Sequence, residues 1–183
     1  MSPAVFDCFA DIVARRLPGD RPLTALEVGA GGWTLLSLPN FASGTRVALN
    51  LRFGAITEQL AQTLRVIGDG TRLPFADSSL DCVMSCSVLE HDRYFWRSTR
   101  EVQRVLRPGG YFVVGVPIYM TLADDAQYTT RTYARHGLAY NADYYRFSEQ
   151  AVREVFFENY AEVTDEVIVR RTPNPYLIAA GRK

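Results

Sequence analysis

With 183 residues, 48% hydrophobic and 22% charged, the chain is long enough for one domain with a substantial core and short for two. Twenty basic residues balance twenty acidic ones, and a net charge of zero gives no electrostatic case for a nucleic-acid partner. No apolar run reaches the roughly 18 residues of a membrane span, and Met1-Ser2-Pro3-Ala4-Val5-Phe6-Asp7 lacks the basic start and apolar block of a signal peptide, so no membrane partner and a cytoplasmic location are expected.

In chain order, Ser2 and Pro3 supply a cap and a first turn. Val5, Phe6, Phe9, Ile12, Val13 and Leu17 then recur at helical spacing up to Pro18-Gly19, an N-terminal helix within residues 1–18. A first strand is expected at 24–28, running into Gly29-Ala30-Gly31-Gly32. A side chain at Gly29 or Gly31 would keep a ligand off the main chain, and such strand-to-glycine junctions are where open α/β sheets hold nucleotide-like cofactors. Trp33 to Leu38 reads as a short helix closed by Pro39-Asn40, Arg46 to Leu49 as a second strand, Ala55 to Leu64 as a short helix and Val66-Ile67 as a third strand. Leu80 to Ser85 is apolar enough for a buried fourth strand. Ser98 to Leu106 reads as a helix stopped by Arg107-Pro108-Gly109-Gly110, and Tyr111 to Val116 as a β-rich fifth strand. Ser148 caps a helix reaching Glu158, and Val163 to Val169 and Tyr176 to Ala180 are the last two strands. This alternation predicts a mainly parallel sheet covered on both faces, in a single α/β domain over residues 1–183.

Cys8, Cys82 and Cys86 are an odd set, and His91 and His136 have no ligand spacing. Neither a disulfide framework nor a metal site is expected, and the cysteines read as small buried hydrophobes.

Five segments in order resemble the class I S-adenosylmethionine-dependent methyltransferases, in particular a type 11-like methyltransferase domain, over about residues 24–180. They are Glu27-Val28-Gly29-Ala30-Gly31, Val47-Ala48-Leu49-Asn50-Leu51, Gly68-Asp69-Gly70-Thr71-Arg72-Leu73-Pro74-Phe75, Asp81 through Ser85-Cys86-Ser87-Val88-Leu89-Glu90-His91, and Glu101 through Pro108-Gly109-Gly110. The resemblance implies a Rossmann-like three-layer sandwich with a seven-stranded, mostly parallel sheet whose last strand is antiparallel. It implies S-adenosylmethionine as the cofactor and a small molecule as the methyl acceptor.

By the same resemblance, Glu27 lies near the cofactor's amino group and Gly29, Ala30 and Gly31 pass its methionine end. Trp33, where many members have glycine close by, is expected to narrow the pocket. Asn50, followed by Leu51, stands where the family usually has an acid that accepts from both ribose hydroxyls. Neutral hydrogen bonds contribute about 0.5–1.5 kcal/mol against about 1.5–3 for charged ones, so weaker ribose binding is expected, and Asn50→Asp is expected to tighten it. Asp69, Gly70 and Thr71 meet the adenine, and Ser85, Cys86 and Ser87 edge the cofactor where the methyl group leaves. The fifth segment is structural.

The sulfonium already activates the methyl group, so the chemistry requires alignment and, for a hydroxyl acceptor, a general base. His91 is the first candidate, since it follows the strand at the methyl site and histidine titrates near neutrality. Asp92 and the pair Tyr144 and Arg146 are the others. A turn-capping His91 and an Arg146 merely paired with Asp143 on the surface are the competing readings. Residues 117–147 hold six of the ten tyrosines and are a candidate substrate wall or lid, weighed evenly against an ordinary packed connection. Within them, Asp143-Tyr144-Tyr145-Arg146-Phe147 resembles a segment of methyltransferase-domain proteins associated with sugar and polysaccharide pathways.

Two other classes stay open. A nicotinamide oxidoreductase explains the glycine loop alone. A non-catalytic S-adenosylmethionine-binding or interaction protein explains the fold without an obvious base. Nucleic-acid methylation is disfavoured, because Ser85-Cys86-Ser87-Val88 replaces the Asn/Asp-Pro-Pro-aromatic segment of amino-group DNA methylases, and Asn174-Pro175-Tyr176 reads as a turn. A homo-oligomer is left open.

Overall fold

The strands expected from the apolar pattern all form, and they join one sheet: β1 (Thr24–Val28), β2 (Thr45–Asn50), β3 (Leu64–Ile67), β4 (Leu80–Cys86), β5 (Leu106–Pro117), β6 (Glu162–Val169) and β7 (Tyr176–Arg182). The computed structural model describes residues 1–119, 143–170 and 175–183. The strand order is β3-β2-β1-β4-β5-β7-β6. β1 to β5 pair in parallel, and β7 runs antiparallel to β5 and β6. Chain order reverses between β1 and β4, which opens a crevice at the carboxyl ends of these strands. The architecture is the Rossmann-like α/β fold that the sequence implies.

The helices are α1 (Pro3–Arg16), α2 (Glu58–Ala61), α3 (Phe95–Val105) and α4 (Glu149–Ala151), the last continuing as a π-helical turn over Val152–Phe156. Several differ from expectation. Trp33 to Leu38 is not one helix but two 3₁₀ turns, Leu35–Ser37 and Pro39–Phe41, because Thr34 caps the first and Pro39 restarts the second. The helix expected over 55–64 shrinks to Glu58–Ala61, started by the Thr57 hydroxyl accepting from Leu60 N–H at 3.3 Å. α3 begins three residues early, at Phe95, because Asp92 accepts from Tyr94 N–H and from the Ser98 hydroxyl. Arg107-Pro108-Gly109-Gly110 does not separate helix from strand, since β5 already begins at Leu106. There Gly109 takes a φ of 79°, which a glycine adopts without strain.

The core lies on both sheet faces. On one, α1 packs Phe9, Ile12 and Val13 against Ala25, Met84 and Val113. Gly115 lets the helix close, since a Cβ there would come within 2.8 Å of the Phe9 ring. On the other face, Val102, Val105, Val152 and Phe156 pack against Val83, Phe112 and Val114. Phe95 stands at the centre of an aromatic group on that side, 5.1 Å from the Tyr145 ring, 5.0 Å from Phe147 and 5.4 Å from Phe156. This group anchors the segment leading into α4. Cys82 is buried, Cys8 and Cys86 are half-buried, and all three are free thiols.

Candidate functional site

The strand ends around the switch point enclose a cleft of about 350 Å³. β1 contributes Val28 and the following Gly29, β2 contributes Leu49, Asn50 and the following Leu51, and the turn after β3 contributes Gly68, Asp69 and Gly70. Ser87, Val88, Leu89, His91, Asp92 and Arg93 follow β4, and Ser98 of α3 and Tyr144 complete the wall. A volume near the low end of the usual range of about 300–1,000 Å³ suits a single small ligand.

The glycine loop is shaped from within. Gly29 has a φ of 81°, and a Cβ on it would lie 2.2 Å from Val88 Cγ2, so the protein itself requires glycine there. A Cβ on Gly31 would meet nothing within 4 Å. Gly31 therefore has no internal reason to be glycine and leaves the room a ligand against the main chain would take. The Gly29 and Ala30 N–H groups both donate to Leu49 O, at 2.7 and 3.2 Å. Glu27 is buried beneath the loop, where its Oε2 accepts from the Thr34 hydroxyl and from Leu35 N–H. Burial pushes its carboxyl up to about 7 against these hydrogen bonds. Asn50 Nδ2 donates to Ala30 O at 2.9 Å, and the Thr57 hydroxyl donates to Gly32 O at 2.6 Å. The loop is thus tied from below by Glu27 and from the side by Asn50 and Thr57.

At the next turn, Asp69 Oδ1 accepts from Thr71 N–H at 2.8 Å and from its hydroxyl at 2.9 Å. This fixes the exposed carboxylate in an Asx turn. Arg104 holds the stretch that follows by donating to Leu73 O, Phe75 O and Asp77, while Glu101 accepts from Leu73 N–H. The fifth segment is therefore a brace for the stretch that follows the Asp69 turn.

At the opposite end, Ser87 adopts a left-handed conformation with a φ of 57°, an unusual choice for serine and one that clusters at ligand sites. Its N–H donates to Gly115 O, and its hydroxyl lies 2.8 Å from the Tyr176 hydroxyl. Tyr144 is tied to the main chain of the β4 turn by its N–H donating to Glu90 O at 2.8 Å, with the Arg93 guanidinium 5.4 Å from its ring centre. His91 Nε2 is 3.8 Å from Glu90 Oε1.

Of the residues expected from sequence, the cleft brings together Gly29, Asn50, Leu51, Asp69, Gly70, Ser87, His91 and Tyr144. Glu27, Ala30, Gly31, Thr71, Ser85, Cys86 and Arg146 are not on its wall. Glu27 faces Thr34 rather than the cleft, and Thr71 serves Asp69. Arg146 pairs with Asp143 as one competing reading had it, but in the interior rather than on the surface. Two bonds of 2.6 and 2.7 Å join them, and both side chains are buried. Trp33 does not narrow the cleft: it is exposed and stacks on Phe6 of α1 at 5.2 Å. Tyr128, Tyr133 and Tyr140 of the candidate lid, and Asn174, lie outside the described residues. Sequence reasoning missed Arg93 and Ser98 on the wall and Tyr176 behind it. The Asp92 cap could have revealed Ser98, whereas nothing in the sequence links Tyr176 to Ser87 across 89 positions.

Residues 26–114 match the methyltransferase domain family. An uncharacterized methyltransferase of Mycolicibacterium vanbaalenii is 32% identical over 111 residues, covering 54% of this chain and 40% of that protein. The chain thus spans about two fifths of that relative's length. Among solved structures, the 1,6-didemethyltoxoflavin-N1-methyltransferase of Burkholderia thailandensis, with bound 1,6-didemethyltoxoflavin and S-adenosylhomocysteine, superposes with a TM-score of 0.73 at 20% identity over 98% of this chain and 78% of its own. The [4+2]-cyclase SpnF superposes with a TM-score of 0.69 at 16% identity over 97% of this chain and 81% of its own. Among the described residues no helix is long and apolar enough to cross a membrane, and no cluster of three metal-ligating side chains occurs.

Proposed function

We propose, for a chain that carries the methyltransferase domain on the class I fold, that the cleft binds S-adenosylmethionine and that the protein methylates a small-molecule acceptor. The observation that carries this reading is the state of the glycine loop. A dinucleotide cofactor needs free loop N–H groups and a helix N-terminus for its pyrophosphate. Here the Gly29 and Ala30 N–H groups are engaged by Leu49 O, only a three-residue 3₁₀ turn follows, and the Glu27 carboxylate takes the Leu35 N–H. Such a loop suits a cofactor without phosphates.

In this reading Asn50 Oδ1 accepts from a ribose hydroxyl, Asp69 Oδ2 accepts from the adenine amino group, and Gly31 lets the methionine end lie on the main chain. Ser87 and His91 stand at the methyl end, with Tyr144 on the acceptor side. When bound, S-adenosylmethionine supplies an electrophilic methyl group that needs no further activation. The protein's task is then to hold the acceptor in line, to exclude water and to receive a proton. Arg146 is engaged by Asp143, so it supports the Tyr144 segment rather than binding substrate. A sugar-related acceptor rests only on the likeness of the 143–147 segment. The bound 1,6-didemethyltoxoflavin of the Burkholderia thailandensis structure supports the broader class of small molecules.

Calorimetric titration with S-adenosylmethionine, S-adenosylhomocysteine and NAD tests the reading. Binding of both sulfur compounds and none of NAD is expected, and absence of heat with either sulfur compound would sink it. A second reading has a specific observation behind it: the cyclase SpnF shares the fold, and a fold hosts more than one chemistry. Under that reading the cofactor binds and no methyl group leaves it.

A further inference from the structure

Glu90 is a buried acid with one side-chain oxygen left over from the packing around it. The structural work at this position falls to its main-chain carbonyl, which accepts from Tyr144 N–H at 2.8 Å and Tyr145 N–H at 3.2 Å. The side chain is 3% exposed, and among the described residues Oε2 has no hydrogen-bond partner. Buried polar atoms are almost always paired, and leaving one unpaired costs about 1–3 kcal/mol. A side chain kept at that cost, one residue from a cleft-lining histidine, points to chemistry. Glu90 Oε1 lies 3.8 Å from His91 Nε2, within ion-pair range and longer than a hydrogen bond. Catalytic contacts are often that loose before ligands bind.

We infer that Glu90 is a positioning residue for His91: with Glu90 as the carboxylate and the His91 ring neutral, the pair takes up the one proton that the methyl acceptor loses and holds it between Glu90 Oε1 and His91 Nε2. The inference rests on the methyltransferase reading for its role, though not for its test. As the acceptor's electron pair forms the bond to the methyl carbon, the carbon–sulfur pair stays on sulfur and the acceptor's proton passes to the His91 ring. Glu90, as the carboxylate, balances the charge of the imidazolium so formed.

The surroundings favour a movable proton. Burial pushes the Glu90 carboxyl up to about 8, and Asp143 adds to this while Arg146 opposes it. The charged and titratable groups around it are Asp143 and Arg146 on the segment before α4, Cys86 on β4, His91 on its own turn and, through Arg146, Tyr176 on β7. Arg146 and Asp143 are joined by two hydrogen bonds. Glu90 therefore lies beside this ion pair and opposite a histidine that reaches the cleft.

The test is an NMR titration of the ligand-free chain, in which His91 is one of two histidines and His136→Asn assigns the signals. The His91 ring should titrate in two steps. In Glu90→Gln the second step should be absent. The reciprocal variant, His91→Asn, should shift the titration of the Glu90 carboxyl carbon, and it decides the question if Glu90→Gln does not fold. Curves unchanged in both variants would overturn the inference. Calorimetry with S-adenosylhomocysteine runs alongside. Wild type and Glu90→Gln should bind it equally, and loss of binding in the wild type would remove the methyltransferase reading while leaving the titration result intact.

Discussion

At the scale of single residues, the buried carboxyls set the pH dependence of stability. Burial raises Glu27 to about 7 and Glu90 to about 8, both above the ordinary carboxylate range. Across the interval from that range up to these values the folded chain holds more protons than the unfolded one, so stability falls as pH rises and levels off above it. The melting temperature should therefore decline between about pH 5 and 8. Glu90→Gln, which cannot ionise, should flatten part of that decline and melt higher than wild type on the alkaline side. Thermal melts across pH measure this, and a parallel slope in the two proteins would refute it. Asp81 and Asp165 are held low by hydrogen bonds from Arg21, Arg107 and Thr24 and from Arg15 and Arg16, against the cost of burial. They act in the opposite sense, and only in acid. Asn50 is the other informative residue. An aspartate would lose the bond to the buried Ala30 carbonyl and set two acceptors against each other. That loss of about 1–3 kcal/mol exceeds the roughly 1 kcal/mol by which a charged ribose contact improves on a neutral one. Asn50→Asp should thus weaken S-adenosylhomocysteine binding by about tenfold, reversing the expectation drawn from sequence. Calorimetry decides it.

At the scale of elements, the glycine loop separates folding from binding. Gly29→Ala forces a Cβ against Val88 at a left-handed φ, and overpacking of this kind costs about 1–3 kcal/mol or more. It should melt well below wild type, with partial recovery in the double variant Gly29→Ala, Val88→Ala. Gly31→Ala meets no protein atom and should melt like wild type while binding S-adenosylhomocysteine at least about tenfold more weakly. Equal binding would show that no ligand lies on that part of the loop. The contrast also marks what the sequence could reveal. Strands such as Leu80–Cys86 were legible because buried parallel strands are continuous apolar runs. Helix limits were less so. Thr57 and Asp92 set them through local capping bonds that periodicity does not record. The cleft wall was readable where motif order carried it, as at Asp69 and Ser87. The partner Tyr176 arrives from 89 positions away and leaves no local trace.

At the scale of the whole molecule, the far side of the sheet backs the cleft wall through Tyr176. β7 lies between β5 and β6, and its first residue, Tyr176, meets the Ser87 hydroxyl at the end of β4. Tyr176→Phe should cost about 1 kcal/mol of stability and weaken S-adenosylhomocysteine binding, as read by melting and calorimetry, with the sheet otherwise intact by circular dichroism. The position of β7 also bears on how the protein is made. The seventh strand in chain order is an interior strand, and its pairing with β5 joins Pro117 to Tyr176, so the sheet stays open between β5 and β6 until β7 has been made and has paired. Long-range pairing of this kind is slow, and a chain stalled before β7 presents two bare strand edges. The step that seals this sheet is the closing of a long loop, and the edges bare in that interval are where misassembly would begin.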